Sequence, residues 1–240
     1  MMTEPPLRRR LWIVLLALVV VFILWNVPQF DAVLTPFRLF VTFVHEAGHG
    51  TAALLTGGEF AGFVVHDNGS GQATTRGGSL LAILPAGYLG AALFGAVLFT
   101  LANRLHYTRP VSILLGLGLI VFSILFARAS LLALIVGLAF GTVLIGLGWR
   151  ANLGVNTFVL NVLAILTGLN AVFDVWYLVG DSSASLGTIR NDAAAFSQAV
   201  APLVPAAVWA FLWSVLAVLM LGIAIWYSLV RPIRQRLNGG

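Results

Sequence analysis

From residue 203 to residue 230 the chain runs without one charged side chain. Six earlier stretches, at 11–27, 33–56, 79–102, 111–127, 130–149 and 155–179, are nearly as apolar. A helix crossing the hydrocarbon of a bilayer needs about 20 mostly apolar residues. Lipid offers no water to the backbone N–H and C=O groups, so such stretches must satisfy themselves as helices. Composition agrees. Of 240 residues, 60% are hydrophobic and 9% charged, whereas a soluble domain carries roughly 25% charged residues. So few charges cannot cover a water-facing surface, which excludes a soluble enzyme and a disordered chain. The absence of cysteine excludes a disulfide framework and any thiolate metal site.

The expectation is an all-α polytopic membrane protein of six to seven transmembrane helices, built as a single membrane domain over 1–240. Residues 11–27 form an anchor helix. No small-residue cleavage site follows it, which favours a retained anchor over a signal peptide. Residues 33–179 form the core, 180–201 a polar loop, 203–230 the last span and 231–240 a basic tail. Between the second and third spans, residues 58–78 are of a different kind. A β-prone run at 60–66, the turn cluster Asp67-Asn68-Gly69-Ser70-Gly71 and a return strand at 72–76 predict a β-hairpin at the membrane edge. Gly137 and Gly141 have the spacing that lets membrane helices approach closely.

All thirteen cations are arginine, for a net charge of +5. They sit at span ends and in tails, which is the placement of topology determinants and gives no surface for nucleic acid. The positive-inside rule puts both arginine-rich ends in the cytoplasm. Seven spans would put them on opposite sides, so either one segment is not a crossing or one tail breaks the rule.

The sequence His45-Glu46-Ala47-Gly48-His49 is an H-E-x-x-H motif inside the second apolar run. Positions i and i+4 share a helical face, so both imidazoles can grip one zinc ion with Glu46 beside it as general base. Ionisable groups inside a span cost roughly 2.5–3.5 kcal/mol each, and a bound cation is the natural compensation for three in one turn. Catalytic zinc takes three protein ligands and keeps one open position. The extended motif with a third histidine is absent, so the third ligand must come from Asp174, Asp192, Glu59, His66 or His106. Depth in the membrane favours Asp174, which lies near the end of the sixth run as the histidines lie near the end of the second. Asn170, one turn earlier, could orient that carboxylate, contact substrate or make a plain interhelical hydrogen bond.

An H-E-x-x-H within a membrane helix, followed by an Asp on a later one, resembles the site-2 protease family of intramembrane zinc metallopeptidases, in particular a bacterial branch. The matching stretches are 45–50, Thr75-Arg76-Gly77-Gly78, Ala86-Gly87-Tyr88-Leu89-Gly90, Asn191-Asp192-Ala193 and 205–213. The better-known members carry an N-x-x-P…D-G signature, which the residues after Asn170 do not reproduce. The resemblance implies a zinc metalloendopeptidase of the bacterial cell membrane, with one Zn2+ per chain. It would cleave membrane-protein or peptide substrates in or beside the lipid bilayer. The hairpin, at Val64 and Val65, could capture an unwound substrate segment by strand addition. Two other readings remain: a non-catalytic scaffold that keeps the fold, and a zinc or ion transporter. An intact Glu46 favours catalysis, and the few further carboxylates and histidines in the other spans disfavour a transport path.

Overall fold

The computed structural model describes residues 7–104, 108–180 and 191–238, with the side chains of 171 and 174–180 excluded. Helix α1 (Leu7–Asn26) stops because Pro28 disfavours a helical conformation at the residue before it, and Val27 is extended. After one 3-10 turn the chain enters α2 (Asp31–Leu55) at a bend of 98°. Asp31 starts α2 with a negative charge at the positive end of its dipole. Gly57, at φ +81, supplies the left-handed residue that closes its C-terminus.

Strands β1 (Glu59–Val65) and β2 (Gly71–Arg76) form the expected hairpin, in antiparallel register from Glu59↔Arg76 to Val65↔Gly71. Its turn is local chemistry. The His66 amide donates to Ser70 O at 2.8 Å, Asn68 Oδ1 accepts from Ser70, and Gly69 takes a positive φ. Phe60 and Phe63 pack the hairpin onto Phe43 of α2 and onto Phe122 and Phe126.

After the short α3 (Leu80–Ile83) come α4 (Ala86–Arg104), α5 (Thr108–Phe126), α6 (Leu131–Arg150) and α7 (Leu153–Gly180). A short helix, α8 (Asp192–Ala199), precedes α9 (Ala206–Ile225), and a π-helical turn leads into the basic α10 (Arg231–Asn238). Close approach of backbones holds the bundle. A methyl on Gly95 of α4 would lie 2.7 Å from Ala164 O of α7, and one on Gly141 of α6 would lie 2.7 Å from Gly116 O of α5. Buried Asn103 and Asn161 bond each other across α4 and α7 at 2.7 Å, an interhelical link of the kind that membrane bundles use.

The helix ends sort by contact. Arg10 Nη1 donates to Asn103 O at the end of α4, and Arg9 lies beside Gly154 at the start of α7. Arg109 donates to Ala151 O just after α6, and Arg104 and Arg231 both stack on Tyr227 after α9. One end of the bundle therefore collects Arg8 to Arg10, Arg104, Arg109, Arg150 and the arginines of α10. The other holds the hairpin, the α5–α6 turn and the start of α9.

The described helices fall at the lower end of the six to seven expected. Helices α4, α5, α6, the first part of α7, and α9 are each long and apolar enough to cross, and α1 with α2 counts as one bent span. Helix α1 runs alongside α7, with Arg9 near its start and Trp25 against Phe173. Helix α2 is apolar for another reason: it buries Phe40, Phe43 and Val44 in the protein core, against the hairpin and α4. If α1 with α2 is one crossing, the described helices make six, both arginine-rich ends fall on one side, and the positive-inside rule is met.

Candidate metal centre

His45, Glu46 and His49 fall on the face of α2 that looks into a cavity of about 900 Å³. Its walls are α2, β2, α3, the start of α4, Asn170 of α7, and α8. Glu46 and His49 are buried, and His45 is partly so. His49 Nδ1 lies 2.7 Å from the Ile83 carbonyl oxygen. A carbonyl only accepts, so Nδ1 carries the hydrogen and Nε2 of a neutral ring presents its lone pair to the cavity. Such a fixed tautomer is the usual outer support of a metal-binding histidine.

Asp192 enters from α8. The side chain of Asn191 caps this helix by accepting from the Ala194 amide at 2.8 Å. Ala193, Ala194 and Phe196 bury against Trp213 and the start of α9. The helix is thereby fixed with Asp192 Oδ2 3.0 Å from His45 Nε2 and 3.2 Å from His49 Nε2. The two Nε2 atoms are 3.1 Å apart. Burial opposes ionisation of Asp192, but the charge of His49 and hydrogen bonds from both histidines hold its carboxyl below the usual carboxylate range.

The donor set fits a zinc ion. Bonds of about 2.0–2.2 Å in a tetrahedral site set ligand atoms about 3.3–3.6 Å apart, and the three observed separations fall a few tenths short of that. The three atoms that hydrogens on the imidazoles can bridge are also three lone-pair donors that a divalent cation would take in their place.

Of the sequence-derived candidates, the structure brings together His45, Glu46 and His49, and lines the same cavity with His66 and Asn170. The depth reasoning favoured Asp174, but it is Asp192 that the fold sets between the imidazoles. The side chain of Asp174 and the whole of His106 lie outside the described residues. Glu59 pairs across the hairpin with Arg76, away from the cavity. Val64 and Val65 lie on β1 and do not line it. The outer edge of β1 is already used at Val65, where the amide donates to Ser130 Oγ at 3.3 Å and the hydroxyl donates back to Val65 O at 3.2 Å. The cavity wall is instead β2, at Gly71, Gln72, Ala73 and Thr75.

Two roles were not visible in sequence. A methyl on Gly87 of α4 would overlap Nε2 of both His45 and His49, so this glycine keeps the space in front of the ligand atoms open. Gly71 likewise makes room for Glu46, whose Oε1 would lie 2.5 Å from a methyl there. Gly87 stands within a stretch that carried the resemblance, and that was its only signal.

A family model described as Peptidase M50B-like matches residues 14–224. The chain belongs to that family, and with its apolar helices it is an integral membrane protein of a peptidase lineage. No curated protein and no solved structure matches it.

Proposed function

We propose that the chain is an intramembrane zinc metalloprotease that hydrolyses peptide bonds of membrane-protein substrates. The single observation that carries this reading is the convergence of two imidazole nitrogens and one carboxylate oxygen beside a buried glutamate, inside a cavity roomy enough for a peptide. His45, His49 and Asp192 hold the metal, and Glu46 is the general base. When bound, zinc supplies a Lewis acid for the scissile carbonyl and acidifies a water. Glu46 takes a proton from that water as its oxygen bonds the carbonyl carbon. Glu46 then returns the proton to the amide nitrogen as the C–N bond breaks, leaving a carboxylic acid and an amine.

The substrate segment must be extended to present its amide, and β2 offers the edge. Its partner β1 covers one side, and the other faces the cavity next to Glu46. A substrate strand added there would gain main-chain hydrogen bonds with little dependence on side-chain identity. Asn170 and His66 flank the same space and supply polar contacts.

Glu46→Gln tests the reading. It keeps the shape of the side chain and removes the base. Zinc content by metal analysis should stay at about one per chain while cleavage of a co-expressed membrane substrate is lost. Full cleavage by this variant, or purified wild-type protein free of zinc, would sink the proposal.

A further inference from the structure

The end of α4 remote from the metal centre belongs to a cluster that peptide hydrolysis does not use. Arg104, the last residue of α4, holds its Cζ 4.7 Å from the centre of the Tyr227 ring, and Arg231 lies 5.5 Å from the same ring. Arg234, one turn further along α10, lies 5.5 Å from the centre of the Trp226 ring. The cluster joins α4 to the π-helical turn after α9 and to α10.

A cation over a ring face gives up none of its N–H donors to it. Three guanidiniums are thus gathered with donors to spare, and no carboxylate of these helices answers them. The chain has no Asp or Glu from residue 68 to 173 or from 193 to 240, so α4, α5, α6, α9 and α10 cannot supply one. Like charges gathered this way repel one another, and an anion seated among them removes the repulsion.

The surroundings name the anion. Trp226 and Tyr227 close the long apolar run of α9 and are exposed, in the manner of aromatic residues at the level of lipid headgroups. Helix α10 buries no residue. Its Ile233 and Leu237 share one face at i and i+4, and Leu237 is exposed. A short helix with arginines on one side and apolar residues on another lies along a bilayer surface. The anions at that level are lipid phosphates, and a planar guanidinium takes two phosphate oxygens at once.

We propose that Arg104, Arg231 and Arg234 form a binding site for the headgroup of an anionic phospholipid, which bridges α4 to α10 beside the Tyr227 ring. A net negative lipid is favoured over a zwitterionic one because the cluster's own charge is unmatched. A ligand that binds the folded bundle also stabilises it.

The test uses full-length protein in a neutral detergent. Phosphatidylglycerol should bind, as read by native mass spectrometry, and should raise the midpoint of thermal unfolding. Phosphatidylcholine and inorganic phosphate should do neither. Arg231→Gln with Arg234→Gln should weaken phosphatidylglycerol binding at least about tenfold, with the lipid-free melt unchanged because both side chains are exposed. Arg104→Lys keeps the charge, loses the planar fork and should also weaken binding. Arg150→Gln with Arg236→Gln removes the same charge from two exposed arginines outside the cluster and should bind the lipid nearly as the parent does. Equal binding of phosphatidylcholine, or equal loss in the two double variants, would reduce the cluster to a basic surface and overturn the proposal. A matching melt shift with inorganic phosphate would overturn the lipid as the source of the anion.

Discussion

The hydrogen on His49 Nδ1 is fixed by the Ile83 carbonyl, and from that bond follows which nitrogen is free to bind metal. Three of the four central residues were legible because an i, i+4 spacing is a property of one helix. Asp192, which stands 147 residues from His45 in a stretch that composition marks only as polar, was one candidate among five. Apolar surroundings pointed to Asp174 instead. The two carboxylates are separable by experiment. Asp192→Asn should lower zinc affinity by more than the ~10–100-fold typical of an outer-shell partner, whereas Asp174→Asn should leave zinc content near that of the parent, both read by metal analysis of purified protein. Gly87→Ala is a sharper case. Alanine favours a helix by roughly 0.5–1 kcal/mol over glycine, so helical content by circular dichroism should hold. The added methyl occupies the space before both Nε2 atoms, and zinc should be lost. Retained zinc would show that α4 shifts to accommodate it.

The hairpin illustrates what an element reveals by itself. Its turn residues and strand limits were read nearly to the residue, because turn chemistry is local. Which edge is free was not readable, since that depends on Ser130, 65 positions away from Val65. This one hydroxyl caps α6 by accepting from the Ala133 amide at 3.2 Å and also closes the outer edge of β1. Proline substitutions should therefore act differently on the two strands. Thr75→Pro in β2 should cut cleavage at least about tenfold with zinc retained, if strand addition at that edge is worth a hydrogen bond of about 1.4 kcal/mol or more. Val65→Pro removes the amide bonded to Ser130 and should lower stability by about 1 kcal/mol or more, seen in a thermal melt. Its effect on cleavage should follow the folded fraction. Equal loss of cleavage at constant stability in both variants would argue against β2 as the docking edge.

At the scale of the whole molecule, the bundle stands on contacts that owe nothing to the metal: glycine-mediated approaches of α4 to α7 and α5 to α6, and the Asn103–Asn161 pair. Chelation should abolish cleavage while leaving helical content nearly unchanged, and added zinc should restore activity. A large loss of helix on chelation would mean that the ion is part of the fold. The expected architecture was an all-α membrane protein with one hairpin, and that is what is found. The expected six to seven crossings narrow to five or six among the described helices. Apolar length reports burial, and α2 is buried by its own protein as well as by lipid.

Sequence alone determined the solvent, the apolar helices, the hairpin and the H-E-x-x-H pattern on one face of α2, because each is written in spacing within about 25 residues. Tertiary structure decided that Asp192 meets the two imidazoles, that Gly87 stands before them, that Ser130 closes the outer edge of β1 and that the arginine-rich ends of the chain meet. These depend on which distant segments meet, and that is set by packing between helices whose sequences, uniformly apolar, carry little information about their neighbours.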